Sequence, residues 1–292
     1  MKIFYNGIGF PPVGWTEERE LGAGAEQGAA RNVKSPMNHR SQTITAVVVT
    51  RNPGPTLERC LDSLKWVDER IVVDRGSHDG SLAIARKRAD KVFYHPSQHD
   101  SIVWEYALAA ASSDWVLWLE PNEWVEEMLR HEIDGMLLAG DSMVDGYAIP
   151  HKVYFQGTWL KNGGLYPNAQ LRLFRKSLAT VQDQAGQAAV FLSGTVGQLE
   201  HPLGVEPFET VHQLFDLMNQ HSSQQAALAL EAGTRDGGPV SSLVSAKWAF
   251  LDRWLLKRGC ADGPMGLTLA MAEAYKTFLI SAKLRAWTRP GA

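Results

Sequence analysis

The sequence predicts an α/β fold, a mixed, mostly parallel sheet flanked by helices, with a helical C-terminal subdomain. Three observations predict it. From Thr43 to Leu119 short apolar runs alternate with helical segments, the spacing of βαβ units. Between about residues 147 and 175 the helices drop out and short strands follow one another. Beyond Glu206 the apolar residues recur at helical spacing.

The elements follow in order. "TITAVVVT" is a continuous β-branched run, the mark of a strand buried on both faces. After "RNPGP", the segment "TLERCLDSLKW" sets Leu57, Cys60, Leu61 and Leu64 on one helical face. "RIVVD" is the next strand, followed by a helix after "GSHDGS" and by the strand "KVFYH". The helix "SIVWEYALAAAS" leads into the strand "WVLWL". "YAIPHKVYFQGTW" and "LRLFRK" are short strands with an antiparallel arrangement. In the C-terminal part, "SLVSAKWAFLDRWLLKRG" gathers Leu243, Val244, Trp248, Leu251 and Leu255 on a broad apolar face. "MGLTLAMAEAYKTFLISAKL" does the same with Leu267, Met271, Tyr275, Phe278 and Leu279, and "GCADGPMG" is the turn between them. The expected organisation is an N-terminal extension and flexible linker over 1–42, an α/β domain over 43–178 and a mostly helical subdomain over 179–292. Within the linker, "GAGAEQG" lacks the preceding strand and the spacing of a dinucleotide-binding loop.

Composition excludes several classes. With 292 residues, 45% hydrophobic and 21% charged, the chain is of ordinary globular type. A net charge of -3 gives no pull toward nucleic acid, and the basic run "ARKRADK" suits a helix end. Two cysteines cannot build a disulfide framework or a zinc site, and the nine histidines contain no HExxH pair. "MKIFYNGIGFPPVGW" lacks the basic start and long apolar stretch of a secretory leader, and no window has 18 uninterrupted apolar residues. The expected location is the cytoplasm, with peripheral contact at the inner face of the membrane. Trp248, Trp254 and Trp287, with Lys247, Arg253, Lys257 and Arg258, supply a candidate interfacial surface, against the alternative that these tryptophans are core.

In an open parallel sheet ligands sit beyond the carboxyl ends of the strands. Those ends carry Thr50 and Asn52, then Asp74, then Glu120, Asn122 and Glu123 in "WVLWLEPNEW". Together they point to a nucleotide pocket. Ser77 and Asp79 join this set, although each also suits helix capping. Arg172 and Arg175 in "LRLFRK" are read as facing one side of a strand, as partners for a phosphate or a solvated surface. A hydride-transfer enzyme of Rossmann type is excluded, because "TRNPGP" offers one glycine where a pyrophosphate turn needs several.

The run from "TAVVVTRNPGPTLERCLDSLKW" through "ERIVVDRGSHDGS" resembles the opening of family 2 glycosyltransferases, nearest the lipopolysaccharide-core β-1,4-glucosyltransferase branch. The likeness continues through "WVLWLEPNEWV", "GTWLKNGGLYPNAQLRLFRK" and "LLKRGCADGPMGLTLAMAEAYKTF", covering about residues 43 to 287. It implies a GT-A nucleotide-sugar-binding fold, a UDP-sugar donor, a glycan or lipid-linked acceptor in cell-envelope synthesis, and inversion at the anomeric carbon. It carries Thr50, Asn52, Asp74, Ser77, Asp79 and Arg172 over as donor-binding residues. It also implies a divalent cation, Mg²⁺ or Mn²⁺, at the fourth strand end, neutralising charge on the departing diphosphate.

This chain departs from that pattern. The family's Asp-Ala-Asp-Glu is Glu120-Pro121-Asn122-Glu123 here, and its Thr-x-Asn-Glu is Thr50-Arg51-Asn52-Pro53. The family's acid in the "GGWYPD" motif is Asn168, and a His-Glu pair aligns loosely with Gln182-Asp183. Two readings follow. In one, Glu120, Asn122 and Glu123 hold a weakly bound cation and Asp183, with Glu123, supplies the catalytic carboxylates. In the other, the pocket binds a nucleotide or a partner without turnover.

Overall fold

The computed structural model describes residues 42–97, 99–140, 143–184, 187–234 and 237–288. The N-terminal extension, apart from Gln42, lies outside the described residues, as does its Gly-Ala-rich segment. Four strands, β1 (Ile44–Thr50), β2 (Glu69–Asp74), β3 (Lys91–Tyr94) and β4 (Trp115–Leu119), are joined by helices α1 (Thr56–Asp62), α2 (Ser81–Arg88) and α3 (Asp100–Ala110). They lie parallel in the order β3-β2-β1-β4. The chain continues through β5 (Glu123–Val125), α4 (Glu127–Ala139), β6 (Gly146–Phe155), β7 (Thr158–Trp159) and β8 (Asn168–Arg175). Then come β9 (Ala179–Gln184), β10 (Gln187–Leu192), β11 (Val196–Gln198) and β12 (Leu203–Val205). Helices α5 (Val211–Glu231), α6 (Pro239–Leu251) and α7 (Gly263–Thr288) complete it. The sheet extends past β4 as β8-β6-β12-β5, with β8 antiparallel to both neighbours.

Strand alternation decides what covers each face. Ile44, Ala46 and Val48 of β1, with Trp115, Leu117 and Leu119 of β4, pack against Leu57, Cys60 and Leu61 of α1 and Leu129, Ile133 and Leu137 of α4. Val47 and Val49, with Val116 and Trp118, face the other way onto Val103, Trp104 and Ala107 of α3. That second face is completed by Val181, Ala188 and Val190 of the β9–β10 hairpin. A third cluster joins Val153 and Val205 to Phe208, Leu214, Met218 and Leu269, seating the C-terminal helices against the sheet. Α5 starts in a full capping box, in which Thr210 and Gln213 satisfy each other's backbone N–H groups.

Helix begins at Val211, close to the point beyond Glu206 where helical spacing is expected. Between residue 178 and that point the chain forms β9 to β12, and β11 and β12 enter the main sheet beside β6. These three-residue strands are too short for an apolar period to declare them. The apolar faces read on the last two helices lie largely toward solvent, with Leu251 and Leu279 half-buried. Leu243, Val244, Trp248 and Leu255 are exposed, Trp248 by 63%, as are Leu267, Met271, Tyr275 and Phe278. On α6 it is Ser242 that is buried, with Ala246 and Ala249 half-buried.

One polar cluster is built into the core. Glu69 Oε2 accepts from Thr45 Oγ1 at 2.9 Å, Ser112 N at 3.0 Å and Ser112 Oγ at 2.8 Å, and Lys91 Nζ lies 2.5 Å from Glu69 Oε1. Burial raises the carboxyl pKa, but Lys91 and the Ser112 and Thr45 hydrogen bonds outweigh it and bring it down to about 2. A folded pKa below the unfolded one stabilises the fold at neutral pH, and that contribution is lost as pH falls from about 4.5 through about 2. Glu69→Gln therefore lowers stability at pH 7 by roughly 2 kcal/mol, a figure reduced for the half-exposed Lys91, and flattens the pH dependence between those values. Urea unfolding at pH 7, 4 and 3 measures both effects.

Candidate functional site

β2, β1 and β4 are adjacent and parallel, so their carboxyl ends reach one edge of the sheet with Asp74, Thr50 and Glu120. The two loops that leave β1 and β2 are tied together there. Asn52 N donates to Ser77 Oγ at 2.9 Å, and Asn52 Oδ1 accepts from His78 N at 2.7 Å. Asn52 itself has φ +51, a left-handed conformation that asparagine tolerates better than most residues. Asp79 Oδ2 accepts from Gly54 N at 2.7 Å, while its Oδ1 accepts from Ser81 N and Oγ at the start of α2. Burial raises the Asp79 pKa, but the Ser81 and Gly54 hydrogen bonds prevail and hold it below the usual carboxylate range. Asp74 Oδ2 closes its own turn by accepting from Gly76 N and Ser77 N, each at 3.1 Å. Thr50 is buried below, and its hydroxyl makes no hydrogen bond among the described residues. These residues converge as the sequence predicts, but Asn52, Asp74, Ser77 and Asp79 are spent largely on holding the loops in place.

The turn after β4 explains the residues of "EPNE". Glu123 N donates to the Glu120 carbonyl at 3.0 Å, closing a turn with Pro121 at its second position, where the fixed φ of proline fits. Glu123 Oε2 returns to accept from Glu120 N at 2.8 Å. Its other oxygen, Oε1, lies 2.5 Å from Arg172 Nη2 and 3.1 Å from His151 Nε2. All three residues are buried. Burial pushes the Glu123 carboxyl up, but the charges of Arg172 and then His151 prevail and hold it below its ordinary value. Arg172 reaches this position because β8 carries a bulge. Leu171 pairs with Ala148 and Leu173 with Tyr147, leaving Arg172 as the extra residue, and a bulge re-aims a side chain. The expectation that Arg172 and Arg175 share a strand face is corrected accordingly. Arg172 is in the interior, whereas Arg175 lies over the Trp115 ring and 3.6 Å from Asp145.

A cleft of about 510 Å³ opens beside this edge. One wall is the β1–α1 loop from Asn52 to Thr56, and the other is the first turns of α5 with Gln213, Asp216 and Gln220. Asn122 and the segment Glu206 to Glu209 join them. Asn122 and Glu206 are held side by side, for Glu206 N donates to the Asn122 carbonyl at 3.0 Å and Asn122 Nδ2 to the Glu206 carbonyl at 3.4 Å. Arg59 braces the same corner, stacked 3.3 Å over the Trp124 ring and 3.6 Å from Glu206 Oε2. Amides and carboxylates line the cleft together with Pro53, Pro55, Pro207, Phe208 and Leu217, so it offers a sugar both hydrogen-bond partners for its hydroxyls and apolar surface for its ring.

Two of the expected site residues, Asn52 and Asn122, line this cleft. Glu123 and Arg172 are withdrawn from it into the buried ion cluster. Asp183 does not line it, being exposed on the β9–β10 hairpin that packs against α3. Glu206, Glu209, Gln213 and Asp216 escape sequence reading because "GVEPFETVHQLFD" has no motif, and only folding brings it to Asn122. Among the described residues no group of three or more His, Cys, Asp or Glu is arranged to hold a metal ion. With Glu123 committed, Glu120 and Asn122 remain. One carboxylate and one amide fit a cation that is shared with substrate phosphates, not one held by protein ligands alone. Cys60 is no alternative ligand: burial, then Glu123 and Glu120, push its thiol pKa well up.

Residues 45–185 match the family model described as Glycosyl transferase family 2. The chain is similar to the lipopolysaccharide core biosynthesis glycosyltransferase LpsC of Rhizobium meliloti (strain 1021), with 24% identity over 250 residues, 82% of this chain and 91% of the relative. It is also similar to an uncharacterized glycosyltransferase of Rickettsia typhi, with 24% identity over 253 residues, 83% of this chain and 86% of the relative. Among solved structures, S. aureus TarS 1-349 in complex with UDP-GlcNAc overlays with a TM-score of 0.46 at 15% identity, covering 84% of this chain and 91% of that one.

The ion cluster sets a prediction of its own. Arg172→Met removes the arginine charge beside a buried carboxylate and costs about 3 kcal/mol or more, because His151 and the Glu120 N–H do not replace it. The double variant Arg172→Met, Glu123→Leu removes both charges and is less destabilised than the single one. Urea denaturation of the two variants distinguishes this from independent, additive effects.

Proposed function

From the glycosyltransferase family 2 domain of residues 45–185, we propose that the protein transfers a sugar from a UDP-sugar to a glycan or lipid-linked glycan of the cell envelope. The observation that carries this reading is the cleft between the strand-end loops and α5, with Asn122 at its junction. Its cell-envelope setting is supported by the likeness to LpsC, a lipopolysaccharide core biosynthesis enzyme. The nucleoside is assigned to the cross-tied loops carrying Thr50, Asn52, Asp74, Ser77 and Asp79, whose mutual hydrogen bonds preorganise that wall. The transferred sugar and the acceptor occupy the cleft.

Glu120 and Asn122 would hold a divalent cation together with the donor diphosphate. Such a cation neutralises charge on the leaving group. Glu206 is assigned the task of taking the proton from the acceptor hydroxyl, because it lines the cleft next to Asn122. Asp183, the carboxylate expected from the resemblance, lacks that placement. Attack by the deprotonated hydroxyl from the face opposite the diphosphate inverts the anomeric centre. Glu123, with Arg172 and His151, acts at a remove by fixing the turn that presents Glu120 and Asn122.

Two experiments test this reading. Glu206→Gln lowers transfer by about 100-fold or more, the usual worth of a general base, while Asp183→Asn retains activity. UDP binding followed by calorimetry tightens with Mn²⁺, and Glu120→Ala removes that gain. The commitment of Glu123 to Arg172 favours a second reading, a nucleotide- or partner-binding protein without turnover. UDP affinity unchanged by a chelator, together with no transfer from any UDP-sugar, would establish it.

A further inference from the structure

The C-terminal helices bear an apolar surface that the glycosyl-transfer chemistry does not use. On α6, Val240, Leu243, Val244 and Trp248 are between 61% and 75% exposed. They recur at intervals of three and four residues and so form one ridge along the helix. Leu255 and Leu256, in the π-helical turn Asp252–Leu256 that continues α6, extend the exposed apolar surface at 56% and 66%. The residues of α6 turned from solvent are Ser242, which is buried, and Ala246, Ala249, Phe250 and Leu251, which are half-buried. Ser242 Oγ accepts from Arg285 Nη2 at 2.8 Å, and Arg253 Nη1 donates to Glu273 Oε2 at 2.8 Å. The helix is thus anchored in part by polar bonds, while Val240, Leu243, Val244 and Trp248 face the outside. In an ordinary surface helix that polarity is reversed.

The charge beside the ridge says what covers it. Lys247, Lys257 and Arg258 are exposed along the same stretch. The acid between them, Asp252, lies 2.7 Å from Lys257 Nζ. Cations flanking an exposed tryptophan and aliphatic ridge match an anionic lipid surface, where the apolar side chains enter the acyl boundary and the cations remain with the headgroups. A second copy of the chain would bring these like charges together. No helix among the described residues is long and apolar enough to cross a membrane, so any contact by these helices is lateral.

We propose that the α6 ridge, with the turn that follows it, docks the protein on an anionic membrane surface. The contact would bring a lipid-linked acceptor to the enzyme, but the docking itself does not rest on the transfer reading. The test is co-sedimentation of the full chain with phosphatidylcholine vesicles, with and without phosphatidylglycerol. The expected result is pelleting with phosphatidylglycerol vesicles that weakens as salt is raised. Trp248→Ser combined with Leu255→Ser abolishes it, and Lys247→Glu weakens it by about tenfold. All three substitutions are at exposed positions, and circular dichroism with UDP binding verifies that the variants remain folded. No pelleting by the wild-type chain overturns the proposal, as does pelleting unchanged in the double variant. Concentration-dependent dimerisation in sedimentation velocity, lost on Trp248→Ser, assigns the ridge to a second copy instead. A failure to transfer sugar leaves these readouts unaffected.

Discussion

A carboxylate with no access to water dictates the geometry around this site. Glu123 is buried at the start of β5, and an ionised group there has to be neutralised and hydrogen-bonded where it lies. Its partners come from the antiparallel half of the sheet, Arg172 from the β8 bulge and His151 from β6. His151 Nδ1 lies 3.1 Å from the Asn168 carbonyl, an atom that only accepts, so Nδ1 carries a hydrogen and the ring is oriented from both ends. Glu123 also accepts from the backbone of Glu120. One side chain therefore ties the last strand of the parallel half to the two strands beyond it. Burial makes the tie costly to break and hence rigid.

That tie positions the cleft. The "EPNE" turn can hold Asn122 against Glu206 only if β5 and β12 stay paired, and they are in register from Leu203 opposite Val125 to Val205 opposite Glu123. At Gly204 a Cβ would collide with the Trp124 ring, so glycine is what allows the indole to lie across β12. The same ring carries the Arg59 guanidinium from α1, a geometry in which cation and aromatic attract. The loop before α1, the turn after β4 and the segment before α5 are thereby coupled around one tryptophan. With the first turns of α5, these pieces of chain line the cleft.

Much of the scaffold was legible in the sequence because its signals are local. The β-branched run of β1 and the helical spacing of Leu57, Cys60, Leu61 and Leu64 need no partner to be recognised, and all of these residues are buried. The convergence of Thr50, Asp74 and Glu120 was legible too, since it follows from the parallel order of three strands. Side-chain allegiance was not. Nothing in "LRLFRK" announces a bulge, and without it Arg172 cannot be placed opposite Glu123, 49 residues earlier. Asp183 and Glu206 show the same limit from both sides. The first was selected by alignment and sits on a hairpin that leaves the main sheet, whereas the second stands in an unremarkable loop and lines the cleft.

Hydropathy along the last helices marks apolar faces and leaves open whether they are core or interfacial, and packing decides it. Two helices approach closely only where the side chains between them are small. On α6, Ser242 is buried beside Arg285 of α7, with Ala246 and Ala249 half-buried. Leucine, valine or tryptophan in place of Ser242 would break its bond from Arg285. The bulky residues must then lie on the remaining arc. A period in the sequence marks that an apolar face exists, and whether it turns toward protein depends on which face can accommodate a neighbour. Here the narrow face is taken by α7 and the wide apolar face is left outside, so the side of the protein that hydropathy would assign to its core is a surface.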